Sequence, residues 1–242
     1  MNSRDEMIDI STIEVEVRKR NVKSIRIGVF PPTGRVRVTA PLNYDQSLIE
    51  SVVLKKMNWI RRQQEGFIKQ ERLTAREAVS GESYFYKGKK YKLSVVESTS
   101  RSALTIKDSS RMELSISKDT KEATRLSVIN KFYRKALQDE LDIIVPDLSK
   151  KTGIKVEHYS IRKMKNRWGS CDTVKKHITI NIDLIKKNRA CLNYIVIHEL
   201  VHLLEPKHNQ RFKELMDEHL PNWRYCRELL NSAPLAYASW EY

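Results

Sequence analysis

Six histidines occur in the chain, at 158, 177, 198, 202, 208 and 219, and three of them fall within eleven residues. That stretch runs His198-Glu199-Leu200-Val201-His202-Leu203-Leu204-Glu205-Pro206-Lys207-His208, preceded by the apolar run Tyr194–Ile197. Residues i and i+4 of a helix lie one above the other, so His198 and His202 can present two imidazoles to one metal. Zinc accepts such nitrogens at ~2.0–2.1 Å, and a catalytic site combines three protein ligands with a water. Glu199 is turned about 100° from His198 around the helix. It can therefore reach a zinc-acidified water as general base without being a ligand. The third ligand is His208 or Glu205. A straight helix puts Glu205 ~10 Å along the axis from His198, whereas a turn at Pro206 lets His208 swing back.

The spacing of 198, 202 and 208 equals that of the metzincin pattern HExxHxxGxxH. Glu205 occupies the glycine position, where the turn would be strained, and no Met-turn follows, so that family is rejected. His158, His177 and His219 have no ligand spacing and read as structural or solvent-exposed.

The remaining elements have to position this segment. Alternating apolar and charged residues mark strands at Ile13–Val17, Ile25–Val29 and Val36–Val38, with Pro31–Gly34 as a turn. A helix capped by Asp45 or Ser47 runs to about Gln70, with Ile49, Val52, Val53, Met57 and Ile60 at helical spacing. Short strands follow at Ser83–Tyr86, Tyr91–Val96, Leu104–Ile106 and Leu114–Ile116, with Lys87-Gly88-Lys89 as a hairpin turn. A long amphipathic helix spans about Thr120 to Val145, its end marked by Pro146 and Gly153. Strands at Val156–Met164 and His177–Ile182 precede helices at about Leu192–Leu204, Gln210–Leu220 and Trp223–Leu230. Internal sequence repeats are absent. The fold class is α+β, with a β-rich N-terminal part and a helix-rich C-terminal part. The expected division is 1–78 as a strand–helix part, 79–119 as a connecting β segment and 120–242 as the catalytic domain.

The 242 residues contain 45 Lys+Arg and 30 Asp+Glu, a net charge of +15. Gly and Pro number seven each, which excludes collagen-like and low-complexity chains. Three cysteines at wide spacing, Cys171, Cys191 and Cys226, argue against a disulfide framework and for a cytoplasmic protein. Met1–Ile10 is not a signal peptide, and no apolar run approaches the ~20 residues of a membrane span. Residues 161–190 carry +7, a basic rim that orients an anionic or acidic substrate. Within it, Arg162, Lys165 and Arg167 are the candidate substrate-binding residues, Arg167 as a bidentate clamp for a phosphate or carboxylate. Trp168 reads as core packing and Cys171 as a buried structural thiol.

Arg167-Trp168-Gly169-Ser170-Cys171, the strand Ile178–Asn181, His198-Glu199-Leu200-Val201-His202, His208 and Phe212 together resemble the YgjP-like metal-dependent hydrolases, relatives of the SprT-like and WLM zinc peptidases. The paired N-terminal strands, Ala40-Pro41 and Lys56–Ile60 with Trp59 are similar to that family's leader region. The resemblance covers most of the chain, strongly after about Ser160 and weakly between about Ala75 and Asp119. It implies a compact zincin domain: a supporting helix, a small sheet with an edge strand beside the cleft, and the HExxH helix. It also implies zinc on His198, His202 and His208, with Glu199 as base. A zinc metallopeptidase acting on peptides is the leading expectation. Some YgjP-like members are described as pyrophosphatases of UTP, which makes a nucleotide substrate the first alternative. A basic nucleic-acid-binding module with structural zinc is the second, disfavoured because a structural site closes with four protein ligands.

Overall fold

The computed structural model describes residues 5–30, 34–69, 76–164 and 167–232. The order of elements is α+β, sheets first and helices after. The described residues up to 69 form one compact unit and those from 76 to 232 a second.

The first unit contains β1 (Asp5–Ile10), β2 (Ile13–Arg20), β3 (Arg26–Phe30), β4 (Arg35–Pro41), α1 (Gln46–Lys55) and α2 (Met57–Lys69). The sheet order is β1-β2-β4-β3, parallel only between β2 and β4. The alternation read from the sequence sets its inner face: Val15, Val17, Val36, Val38 and Ala40 are buried there with Ile49, Val53 and Ile60 of the two helices. The single helix expected up to Gln70 is divided at Lys56. Its N–H donates to Val53 O at 3.0 Å, three residues back instead of four, and α2 restarts behind it. Asp45 caps α1 by accepting from Leu48 N at 2.8 Å.

The second unit opens with β5 (Ser83–Tyr86), β6 (Lys89–Glu97), β7 (Ala103–Ile106) and β8 (Arg111–Ile116), in the order β5-β6-β8-β7. This sheet has the order and strand senses of the first, parallel only in the middle. A repeat of topology thus exists where the sequence shows none, because any period-2 apolar pattern fills the same inner face.

Helix α3 (Glu122–Thr152) follows. It does not stop at Pro146 as expected; it continues to Thr152 and ends at Gly153, whose φ of 70° is left-handed. A proline inside a helix costs ~3 kcal/mol. Burial of Ile144 and Val145 before it and Leu148 after it offsets that loss.

A small sheet then forms from β9 (His158–Arg162), β10 (Gly169–Asp172) and β11 (His177–Asn181). Its order is β10-β11-β9, with β11 parallel to β9 and antiparallel to β10. A 3-10 turn (Ile182–Lys186) leads to α4 (Arg189–Val201), α5 (Gln210–His219) and α6 (Trp223–Ser232). Among the described residues, no helix is long and apolar enough to cross a membrane.

Asp183 anchors the turn between the sheet and α4. It is 3% exposed and takes Lys163 Nζ at 2.6 Å and Lys186 Nζ at 2.7 Å. Burial pushes its carboxyl upward, but Lys186 and Lys163 outweigh burial and hold it below the ordinary 3.8. A depressed folded-state pKa contributes stability that is complete above the unfolded value and lost as pH falls through the folded one. Asp183→Asn should therefore cost about 3 kcal/mol near neutral pH, by leaving Lys186 buried without its counter-charge. The deficit should shrink below pH ~4; urea unfolding at neutral and acid pH measures both.

Candidate metal centre

Helix α4 is apolar nearly all round, with Cys191, Leu192, Tyr194–Ile197, Leu200 and Val201 buried. It is capped by Asn188, which accepts from Ala190 N at 2.9 Å. A helix so enclosed holds its polar residues in place by packing. It ends at Val201, three residues short of the expected Leu204, with His202 as its cap. The chain then turns tightly, with Glu205 N donating to Val201 O at 2.9 Å. Asn209 opens α5 by accepting from Phe212 N at 3.0 Å.

This turn brings His208 back over the end of α4. Its Nε2 lies 3.0 Å from His198 Nε2, and one ring nitrogen from each of His198, His202 and His208 falls within 4.8 Å of the others. The competing Glu205 is directed elsewhere: its carboxylate accepts from Lys207 N at 3.1 Å. The Glu205 carbonyl faces His202 Nδ1 at 3.1 Å, which leaves Nε2 of that ring for the shared centre. Phe212, 4% exposed, packs its ring 4.7–4.9 Å from all three imidazoles.

All three rings suit a metal by their position, and two of them also by their protonation. Burial, followed by His202 and His208, pushes His198 down to about 3. Burial also lowers His202, against the opposing Glu205 carbonyl. Neutral imidazoles offer lone pairs, and two nitrogens on one tetrahedral zinc lie ~3.3 Å apart, close to the spacing found here.

The Glu199 side chain lies against β10. It is 4% exposed, and no donor among the described residues hydrogen-bonds its carboxylate. Burial raises it to about 8, and the charge of Arg167 acts against that rise. Gly169 of β10 lies directly against its side chain. Cys171, half-buried on the same strand, is pushed up to about 11 by burial and then by Glu199 and Asp172. It is a protonated thiol, unsuited to ligation or attack at neutral pH.

The loop before β10 is held by a residue the sequence reading passed over. Asn181, fully buried, donates from Nδ2 to Arg167 O at 2.7 Å and to Met164 O at 3.0 Å. Its backbone N–H donates to Trp168 O at 2.9 Å, and its Oδ1 accepts from Asp183 N at 3.2 Å. One signal could have found it: an asparagine closing the alternating strand His-Ile-Thr-Ile-Asn at the start of a turn, a residue type whose side chain bonds neighbouring backbone groups.

The candidate substrate residues divide. Arg167 is exposed beside Glu199, and its guanidinium has no hydrogen-bond or ion-pair partner among the described residues. Arg162 is exposed at the end of β9. Lys165 lies outside the described residues. The basic segment is less of a rim than its charge suggests. Lys163 and Lys186 pair with Asp183, Arg189 with Glu140 at 3.6 Å, and buried Lys187 sits 5.3 Å from the Trp168 ring centroid. Trp168 itself is 8% exposed, in the core as expected.

A family model described as YgjP-like, metallopeptidase domain, matches residues 23–233. The chain belongs to the YgjP-like family. Its membership places the chain among metal-dependent hydrolases of the metallopeptidase kind and implies a divalent metal. Among solved structures, the crystal structure of the metallopeptidase zymogen of Pyrococcus abyssi abylysin is similar at 21% identity, covering 37% of this chain and 87% of that one, with a TM-score of 0.34. No curated protein matches.

Asn181→Ala should destabilise the protein by about 3 kcal/mol, since it leaves Arg167 O and Met164 O without their donor. It should also weaken activity by releasing the loop that leads into β10. Denaturant unfolding and initial rates on the same preparation check the two effects together.

Proposed function

We propose that this YgjP-like chain is a zinc-dependent metallopeptidase with a zincin-like second unit. Its metal ligands are His198, His202 and His208, and Glu199 is its general base. The observation that carries the reading is the convergence of three imidazole nitrogens beside a buried carboxylate one residue along the same helix, to which no described residue donates a hydrogen bond. Zinc suits an all-imidazole donor set with an open position, and when bound it acidifies water and polarises a carbonyl oxygen.

The protein supplies the rest. His202 Nδ1–H donates to the Glu205 carbonyl and fixes that ring's tautomer. Phe212 keeps the three rings together and excludes water from their far side. Glu199 takes a proton at its carboxylate and passes it to a leaving amine.

The substrate is an extended peptide. Among the described residues β10 is an edge strand, joined to β11 on one side only, so its other side can pair with a peptide backbone next to Glu199. Arg167, with Arg162 and Lys165 further back on the same segment, provides positive charge toward a carboxylate or a polarised carbonyl of that substrate. The uridine triphosphate alternative uses the same metal and base. It is less well supported, because Lys163, Lys186, Lys187 and Arg189 are engaged within the protein.

Glu199→Gln should retain the metal and lower peptide turnover by roughly 10²–10⁴-fold. His208→Ala should bind zinc less tightly in a chelator competition, and stripping the wild-type metal should abolish turnover until zinc is restored. A panel of denatured proteins, run beside nucleoside triphosphates, tests the substrate. Full activity of metal-replete Glu199→Gln sinks the mechanism, and nucleotide hydrolysis without proteolysis sinks the substrate assignment.

A further inference from the structure

Gly169 has an unusual claim to its place. It lies within β10, where glycine weakens a strand by its freedom in the unfolded chain and by its lack of a side chain to pack. Gly34, Gly81, Gly88 and Gly153 adopt positive φ and are needed for their backbone shape, but Gly169 is not among the residues with positive φ. Its backbone is one that any residue adopts, so the reason for glycine is space. A Cβ at this position would lie 2.5 Å from Glu199 Oε1, 2.8 Å from its Cγ and 2.9 Å from its Cδ. Atoms do not approach so closely. Either the carboxylate or the strand would have to move.

Neither can move freely. The strand is paired with β11 through Gly169 opposite Ile180, and the residues before it are tied to buried Asn181 by bonds to Arg167 O and Trp168 O. The backbone of Glu199 is fixed from the other side, on a helix whose neighbours Leu200 and Val201 are fully buried, and the close contacts reach its Cγ, near the helix, as well as the carboxylate tip. Its side chain therefore lies in the space that the missing Cβ leaves.

We propose that Gly169 is a positioning residue for Glu199: the side-chain-free surface of β10 is a seat that sets where the carboxylate sits relative to the His198–His202–His208 centre. The inference rests on Glu199 being the base, and it adds that the base is placed by a second chain segment rather than by the helix alone. In this role Gly169 acts only through Glu199, by the space it leaves and not by the backbone edge that β10 offers to a peptide.

The test is a double-mutant cycle between Gly169→Ala and Glu199→Asp, read in two ways. In the metal-replete protein, Gly169→Ala should lower kcat at least tenfold with little change in KM, while zinc stoichiometry and affinity stay at wild-type values. Shortening the acid by one methylene should make room for the new methyl. The double variant should then lose at least fivefold less kcat than the product of the two single losses. The same cycle on denaturant unfolding of the metal-free protein needs no activity: Gly169→Ala should destabilise the protein markedly when Glu199 is intact and less in the Glu199→Asp background. If the wild type lacks peptidase activity, the functional reading fails while the stability cycle still decides the seat. Strict additivity in the unfolding cycle, wild-type kcat in Gly169→Ala, or failure of Gly169→Ala to fold in both backgrounds each overturns the proposal. Folding of the double variant where Gly169→Ala alone does not fold supports it.

Discussion

A nearly fully buried carboxylate beside three imidazoles is the constraint around which the second unit is arranged. Helical geometry places His198 and His202 on one face and turns Glu199 about 100° away. The residue next to His198 must therefore face a different neighbour from the two histidines themselves. That neighbour is β10, and the side chain of Glu199 lies against Gly169. The buried carboxylate has no hydrogen bond from any described residue to compensate its desolvation, and burial accordingly raises its proton affinity against the pull of Arg167. The enclosing helix, the clamped loop and the edge strand all serve to keep that arrangement in one geometry.

The net charge takes on a different meaning in this setting. In a basic segment of thirty residues the simplest inference is a surface for an anionic partner. Much of that segment instead performs internal work. Asp183 joins Lys163 and Lys186 beneath the sheet, and Lys187 covers the face of Trp168. A buried ion knot is an uncertain source of net stability, since desolvation opposes attraction. Its clearer consequence is direction: it fixes the exit from β11 into α4, two elements that both contribute to the site. Arg167 and Arg162 are the described cations of the original three candidates that remain directed outward.

Legibility in the sequence followed the range of the forces involved. Strands with strict alternation were readable because one face had to be dry, as with Val36 and Val38 or Ile178 and Ile180. Helices α5 and α6 were bounded by Pro221 and by their own periodicity. Pro146 misled because local propensity counts the lost hydrogen bond but not the packing of Val145 and Leu148 on either side. β1 and β10 were not foreseen. β1 is too exposed to show a clear apolar pattern, and β10, Gly-Ser-Cys-Asp, has almost no strand propensity of its own. Its pairing with β11 makes it a strand.

The sequence by itself determined the chemistry available: two histidines one helical turn apart, a glutamate between them, and a third histidine after a proline. Those features depend on covalent spacing and helical pitch, which are local and need no knowledge of the fold. Only the tertiary structure brings the His208 imidazole, and not the Glu205 carboxylate, beside His198 and His202, because that depends on how the chain turns after Val201 and on Phe212 packed against the rings. It also decided that Gly169 lies against Glu199 and that Asn181 holds the residues before Gly169. Residues separated by 14 to 30 positions are brought together by packing and buried hydrogen bonds, forces that carry no periodic trace along the chain.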